Sequence, residues 1–180
     1  MTANKRQLRV YYKNVRHKLP DKNEKSFAIQ KTLLPMLDKY QTIALYASMD
    51  DEVSLDALIN ELLSKNKTIL LPKVNAEEIS FYRINSLDEL STNNKFSIRE
   101  PITNEAFVDY IDVAVVPGIC FDLLKNRIGF GKAFYDKFFA KHPHIYKIGV
   151  CFDEQVTDKI VVDKDDIHMD IIITDKRIIA

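Results

Sequence analysis

Residues 113–139 read VAVVPGICFDLLKNRIGFGKAFYDKFF, and this stretch decides the fold. Val113 to Val116 is a short, fully apolar run, as expected of a strand in a sheet buried on both faces. It runs directly into Pro117-Gly118, then a loop with Gly129 and Gly131, then a helix predicted from about Lys132 to Lys141. In open sheets built from such units, ligands collect beyond the carboxyl ends of strands. The loop from Pro117 to Gly131 occupies that place.

The flanking chain repeats the alternation. Leu8, Tyr11 or Tyr12, Val15 and Leu19 recur at three-to-four spacing and predict an amphipathic helix from Lys5 to Leu19, closed by Pro20-Asp21. A second helix is expected from an Asn23 N-cap through Phe27 and Leu33, with Pro35 as its end or a kink. Thr42 to Tyr46 reads as a buried strand. Ser54 is expected to cap a helix carrying Leu55, Leu58, Ile59, Leu62 and Leu63, followed by a strand at Thr68 to Leu71. Further strands are expected at 79–84, 147–152 and 170–174, with a helical turn at 86–90. The pattern describes one α/β domain with a largely parallel or mixed sheet.

Composition bounds the function. The chain has 180 residues with 46% hydrophobic, enough for a core without disulfides or metals. Only four residues are glycine, where average usage would give roughly a dozen. Three of them, Gly118, Gly129 and Gly131, fall in the loop just described, where left-handed angles or close approach to a ligand are the reasons to keep glycine. Lys+Arg and Asp+Glu balance at 26 each, so no global field recruits nucleic acid or an anionic membrane. The signs are segregated, however: Lys5, Arg6, Arg9, Lys13, Arg16 and Lys18 precede the first acid, and eight acids from Asp153 to Asp175 crowd the other end. Cys120 and Cys151 form no CxxC or zinc spacing and read as buried small hydrophobes in a reducing compartment. The opening MTANKRQLRVYY has charges where a signal peptide needs an apolar region, and no apolar run approaches a membrane span, so the cytoplasm is expected.

The loop invites an anion, because a glycine-bearing loop ending at a helix N-terminus presents free amides and a positive dipole end. It is neither common phosphate motif. Asn126 and Ala133 break the P-loop pattern, and Phe134 breaks G-x-G-x-x-G, so a plain helix-entry loop stays an alternative. Lys5 and Arg9 lie four apart and could share one polyphosphate, or belong to a solvated basic face. Glu52 follows a strand end where substrate is expected, though a carboxylate before a helix also complements its dipole. Asp136 and Asp170 could together hold magnesium beside phosphates, or be two surface aspartates. Tyr135 and Phe134 read as core or pocket wall. The four histidines have no visible partner set.

Taken together, Lys5 and Arg9, ALYASMDDEVSLDALI with Glu52, LPKV at 71–74, IREP at 98–101, VAVVPGICFD at 113–122, RIGFGKAFYDKFF at 127–139 and DIIIT at 170–174 resemble the 5-formyltetrahydrofolate cyclo-ligase (methenyltetrahydrofolate synthetase) family. The resemblance spans nearly the whole chain. It implies a single domain over residues 1–180, a three-layer α/β/α sandwich with a mostly parallel or mixed sheet. It implies ATP-dependent closure of 5-formyltetrahydrofolate, with or without a polyglutamate tail, to the 5,10-methenyl form, with magnesium as cofactor. ATP first phosphorylates the formyl oxygen, the neighbouring amine attacks the resulting iminium phosphate, and phosphate leaves. Lys5, Arg9, Arg127, Gly129, Gly131, Lys132 and Tyr135 would bind ATP, with Lys132 and Arg127 in catalysis. Glu52 and Tyr135 would hold the folate, and Asp136 and Asp170 the metal. The expected partners are these small molecules, without nucleic acid or membrane, and the chain is expected to act as a monomer.

The chain departs from the family pattern where Lys125, Ala133 and Phe134 replace a usual Gly, Gly and Tyr, and where Ser97 replaces a frequent Gly. Ala133 is favourable if that residue is helical and costly if it needs positive φ. A divergent paralogue acting on another formamide or amide, or without activity, is therefore the alternative. A nucleic-acid module built on the basic N-terminal helix is a second, disfavoured by the balanced charge.

Overall fold

The computed structural model describes residues 4–92 and 98–180, so the Ser97 position lies outside the described residues. In chain order the helices are α1 (Lys5–Lys18), α2 (Lys22–Leu37), α3 (Asp56–Ser64) and α4 (Phe134–Lys141). The strands are β1 (Thr42–Ala44), β2 (Thr68–Asn75), β3 (Glu78–Ile84), β4 (Leu90–Ser91), β5 (Glu100–Pro101), β6 (Val113–Pro117), β7 (Cys120–Asp122), β8 (Arg127–Ile128), β9 (Tyr146–Val150), β10 (Val156–Thr157), β11 (Ile171–Ile173) and β12 (Ile178–Ile179).

Seven strands form the main sheet in the order β12-β11-β9-β6-β1-β2-β3. The five central strands pair in parallel, and β3 and β12 close the edges antiparallel. Alternation along β6 shows how the layers arise. Val113 and Val115 join the cluster containing Ile29, Leu33, Ile59 and Leu62 of α2 and α3, while Ala114 and Val116 join Phe121 and Phe139 on the α4 side. Helices thus cover both faces, as expected for the three-layer α/β/α architecture. Helix α1 packs elsewhere: Leu8 and Tyr12 cluster with Ile119, Cys120, Ile128 and Ile160, over a small sheet ordered β10-β7-β8.

Several local expectations are corrected. Asn23 lies inside α2, whose N-cap is Asp21 at φ 54 without a side-chain bond. Pro35 sits within the helix rather than ending it. The α3 cap is Leu55, while the Ser54 N–H donates to Ser26 Oγ. Helix α4 begins at Phe134, two residues later than expected. Both cysteines are free and buried, as expected, and burial pushes the Cys120 thiol up to about 12. No helix among the described residues is long and apolar enough to cross a membrane. The basic and acidic chain ends meet: Lys5 pairs with Asp163 and Asp166, and Lys25 with Glu154 and Asp175.

Candidate functional site

The chain leaves β1 toward β2 on one side of the sheet, whereas β6 continues to β9 on the other. A crevice opens where the order reverses, outside the carboxyl ends of β1 and β6, and this is the place where open α/β sheets bind ligands. The segment after β1, residues 45–55, and the segment after β6, residues 118–133, leave the sheet at those ends.

On the β1 side, Glu52 is 7% exposed. The Met49 N–H donates to its Oε2 at 3.0 Å, and Arg16 Nη1 lies 3.5 Å from Oε1. Burial raises the Glu52 pKa, while the Met49 amide and the Arg16 charge oppose the rise. The same turn is fixed from below by Tyr46, whose hydroxyl donates to Val53 O at 2.8 Å. A polar cleft of about 280 Å³ adjoins Glu52 and is lined in part by Ser48, Met49, Asp56 and Arg99. Arg99 clamps Asp56 through two 2.8 Å bonds.

On the β6 side, Asp122 anchors the β7–β8 turn. Its buried carboxylate accepts from Leu124 N, Asn126 N, Asn126 Nδ2 and Ile160 N at 2.8–3.0 Å. Lys125 in that turn has φ 67, and Ala133 at the entry of α4 has φ 54. Lys125 and Ala133, the described residues standing where the resemblance leads one to expect glycine, therefore both occupy the left-handed region, which costs an L-residue roughly 1–2 kcal/mol. Of the two alternatives for Ala133, helical or positive φ, the structure shows the second: it is the left-handed N-cap of α4. It supplies no side-chain cap to the helix amides. Gly131 has φ 96 and faces the Arg9 guanidinium, whereas Gly129 serves close approach, since a Cβ there would meet Arg127 Nη1 at 2.6 Å.

The cations of the site differ in their engagement. Arg9 Nε donates to Gly129 O at 2.9 Å, which ties α1 to the loop. The Arg127 side chain is 5% exposed, with Nη2 3.2 Å from Asp136 Oδ2 and its guanidinium 5.3 Å from the Tyr135 ring centroid. Its Nε is buried without a hydrogen-bond partner among the described residues. Lys132 is exposed and makes no ion pair or hydrogen bond among the described residues. Burial raises the Tyr135 hydroxyl well above its ordinary range; Arg127 opposes and Glu52 adds to the rise, so this ring feels charges from both sides of the crevice.

The structure does not bring Asp170 to Asp136. Asp170 precedes β11 and accepts from Lys147 N at 2.7 Å, with Lys147 Nζ at 2.9 Å, at the amino end of the parallel strands. Asp136 Oδ1 instead accepts from Ile167 N at 3.0 Å. The acid next to that contact is Asp166, whose carboxylate also holds Lys5. No cluster of three or more metal-ligating side chains occurs among the described residues.

Sequence reading also passed over Arg16 and Asp51. Arg16 follows Arg9 by seven positions and Lys5 by eleven, which places all three within about 40° on a helix. That spacing was the available signal.

The sequence profile of the 5-formyltetrahydrofolate cyclo-ligase family matches residues 1–175. The chain belongs to that family. A probable 5-formyltetrahydrofolate cyclo-ligase of Schizosaccharomyces pombe is 28% identical across 99% of this chain and 98% of its own. The 5-formyltetrahydrofolate cyclo-ligase of Escherichia coli K12 is 28% identical over 76% of this chain and 79% of its own. Among solved structures, the 5,10-methenyltetrahydrofolate synthetase of Aquifex aeolicus superposes with a TM-score of 0.83 at 35% identity, covering 97% of this chain and 91% of its own. The cyclo-ligase relationship makes the protein an enzyme of a ligase family and its two-sided crevice the candidate active site.

Proposed function

We propose that the chain, acting as one domain, closes 5-formyltetrahydrofolate to 5,10-methenyltetrahydrofolate with consumption of ATP. The observation that carries this reading is the pairing across one crevice of a buried carboxylate, Glu52, with a glycine-bearing cationic loop. The carboxylate suits the N–H edge of a pterin, and the loop suits a polyphosphate. Lys125 and Ala133, both left-handed, keep the backbone shape for which the family pattern uses glycine, which favours the cyclo-ligase over a redirected paralogue.

The chemistry needs an activated oxygen. A formyl oxygen leaves poorly as oxide, so its lone pair attacks the γ-phosphorus and ADP departs, giving an iminium phosphate. The neighbouring folate amine then donates its electron pair to the activated carbon. The C–O bond breaks, phosphate leaves with that bonding pair, and loss of the amine proton leaves the methenyl cation. The protein's task is to place the formyl oxygen in line and to neutralise spreading charge. Lys132, unpaired at the loop mouth, is assigned to the transferred phosphoryl group. Lys5 and Arg9 take the remaining phosphate oxygens, with Gly129 and Gly131 leaving clearance. Arg127 holds the γ-phosphate end while Asp136 fixes its fork, and the Tyr135 ring walls the site between nucleotide and folate.

Magnesium takes one or two carboxylates and completes its octahedron with phosphate oxygens and water. Asp136 and Asp166 fit that requirement better than Asp136 and Asp170, because Asp136 bonds the amide next to Asp166 and Asp166 contacts Lys5. When bound, the ion neutralises charge on the phosphates.

Purified protein given 5-formyltetrahydrofolate, ATP and magnesium is expected to generate the methenyl absorbance band. Absence of product where a control cyclo-ligase works would overturn the reading. ATP binding without folate protection in a thermal-shift assay would instead support the paralogue.

A further inference from the structure

We propose that Arg16 is a positioning residue that couples the nucleotide loop to the folate carboxylate Glu52, acting through the ring of Phe130. The proposal rests on the cyclo-ligase reading of the crevice. Arg16 is 3% exposed although it lies near the end of a surface helix, between the exposed neighbours Asn14 and His17. Burying a guanidinium costs several kcal/mol unless it is paired with good geometry. Asp51 supplies that pairing by itself, with Nε to Oδ2 at 3.1 Å and Nη2 to Oδ1 at 2.9 Å. Neutralising Arg16 therefore requires no second acid. Its remaining terminal nitrogen nevertheless reaches toward Glu52, whose other oxygen is already fixed by the Met49 amide.

On its other side, the Arg16 guanidinium lies 5.6 Å from the centroid of Phe130. This ring is 44% exposed, at the tip of the loop between Gly129 and Gly131. Lys13 Nζ stands 5.4 Å from the same centroid. A large apolar side chain left partly in water between two cations is held only by weak cation–π attraction. Such a contact is weak enough to readjust when the loop closes on a ligand. The loop backbone beside it is tied to Arg9 through Gly129 O, so a polyphosphate that engages Arg9 moves the ring as well. One continuous chain of contacts thus runs from the phosphate side, through Phe130 and Arg16, to Glu52.

The consequence is positive coupling between the two substrates, equal in both directions by linkage. The test is calorimetric titration of a non-hydrolysable ATP analogue with magnesium, with and without saturating 5-formyltetrahydrofolate. In the wild-type protein the folate is expected to tighten the analogue by about 5- to 150-fold, the usual range of a coupling energy. Phe130→Ala removes an exposed ring that the fold does not need. It should bring that factor to within about twofold of one while each ligand alone still binds. Arg16→Lys keeps a positive charge but loses the fork, and should reduce the factor likewise while raising the folate KM more than it lowers kcat. An undiminished factor in Phe130→Ala would overturn the proposal, as would a factor of one in the wild type when both ligands bind. Failure of either ligand to bind the wild type overturns the cyclo-ligase reading itself, a result distinct from binding without coupling.

Discussion

The two loops that face the crevice are held in opposite ways. The turn after β1 is built from satisfied, buried groups: Glu52 accepts from Met49 N, Tyr46 donates to Val53 O, and Arg16 is locked on Asp51. Among the described residues, the loop after β6 leaves Lys132 unpaired, Arg127 Nε without a hydrogen-bond partner, Phe130 partly exposed and Ala133 in the left-handed region. A rigid ring system such as a pterin is best met by a preformed clamp, since little binding energy is then lost to ordering it. A flexible polyphosphate is best met by donors that have no competing partner. The difference supports the proposed placing of the folate on the first side and ATP on the second, and changes to one side should leave the other side's ligand largely unaffected.

The largest effect is expected on the open side. Lys132→Ala should lower kcat on the order of 10²-fold, the usual scale for one donor to developing charge, and leave thermal stability nearly unchanged because the side chain is exposed and makes no ion pair or hydrogen bond among the described residues. An unchanged rate would remove Lys132 from phosphoryl transfer. On the closed side, Glu52→Gln should cost about 10- to 100-fold in kcat/KM for the folate, the range of a charge-assisted hydrogen bond, with the ATP KM moving far less.

Glu52 also separates stability from function by pH. Burial raises its folded pKa above the unfolded value, so between the two the native state binds more protons than the unfolded chain. Its contribution to stability accordingly falls as pH rises through that window. Folate affinity, which needs the carboxylate, rises through the same window. Melting temperature and folate KM measured across mild acid should therefore both fall as pH rises in the wild type, stability declining while folate affinity improves, and Glu52→Gln should remove this group's part in both.

The fold was legible because apolar periodicity reports burial directly. Val113–Val116 and the Leu55–Leu63 stripe identify sheet and helix without tertiary information. The small β10-β7-β8 sheet was not legible, because Cys120–Asp122 and Arg127–Ile128 are too short to show a period and Val156–Thr157 pairs only across a long separation. The site was half legible. Strand-end position singled out Glu52, and the family resemblance singled out Arg127 and Lys132, as candidates for the site. Asp170 is drawn to Lys147 on the neighbouring strand, a contact that spacing does not encode, and the proposal of Asp166 in its place rests in part on that contact. Arg16 looked like one more solvated cation of a basic helix, and only its burial shows otherwise.

A smaller effect distinguishes the two surviving loop glycines from the two missing ones. Gly129→Ala forces a Cβ against Arg127 Nη1, and the displaced guanidinium should raise the ATP KM about tenfold, the lower end for a hydrogen bond to a charged group. An unaltered ATP KM would show that the guanidinium has room to move.

Ala133→Gly is expected to do the reverse and do less. The left-handed conformation costs alanine roughly 1–2 kcal/mol, and glycine's extra unfolded entropy returns about 0.5–1 of it, leaving a net gain of about 0.5–1 kcal/mol. For a chain of this size that is a rise of about 1–4 °C in Tm. Because φ 54 is already adopted, the substitution relieves strain without redirecting the backbone, so nucleotide affinity should stay within about twofold. A large gain in ATP affinity would mean that the methyl group, rather than the backbone angle, limits phosphate approach. The open loop would then be impaired by its side chain, and its resemblance to the glycine-bearing pattern would be one of shape alone.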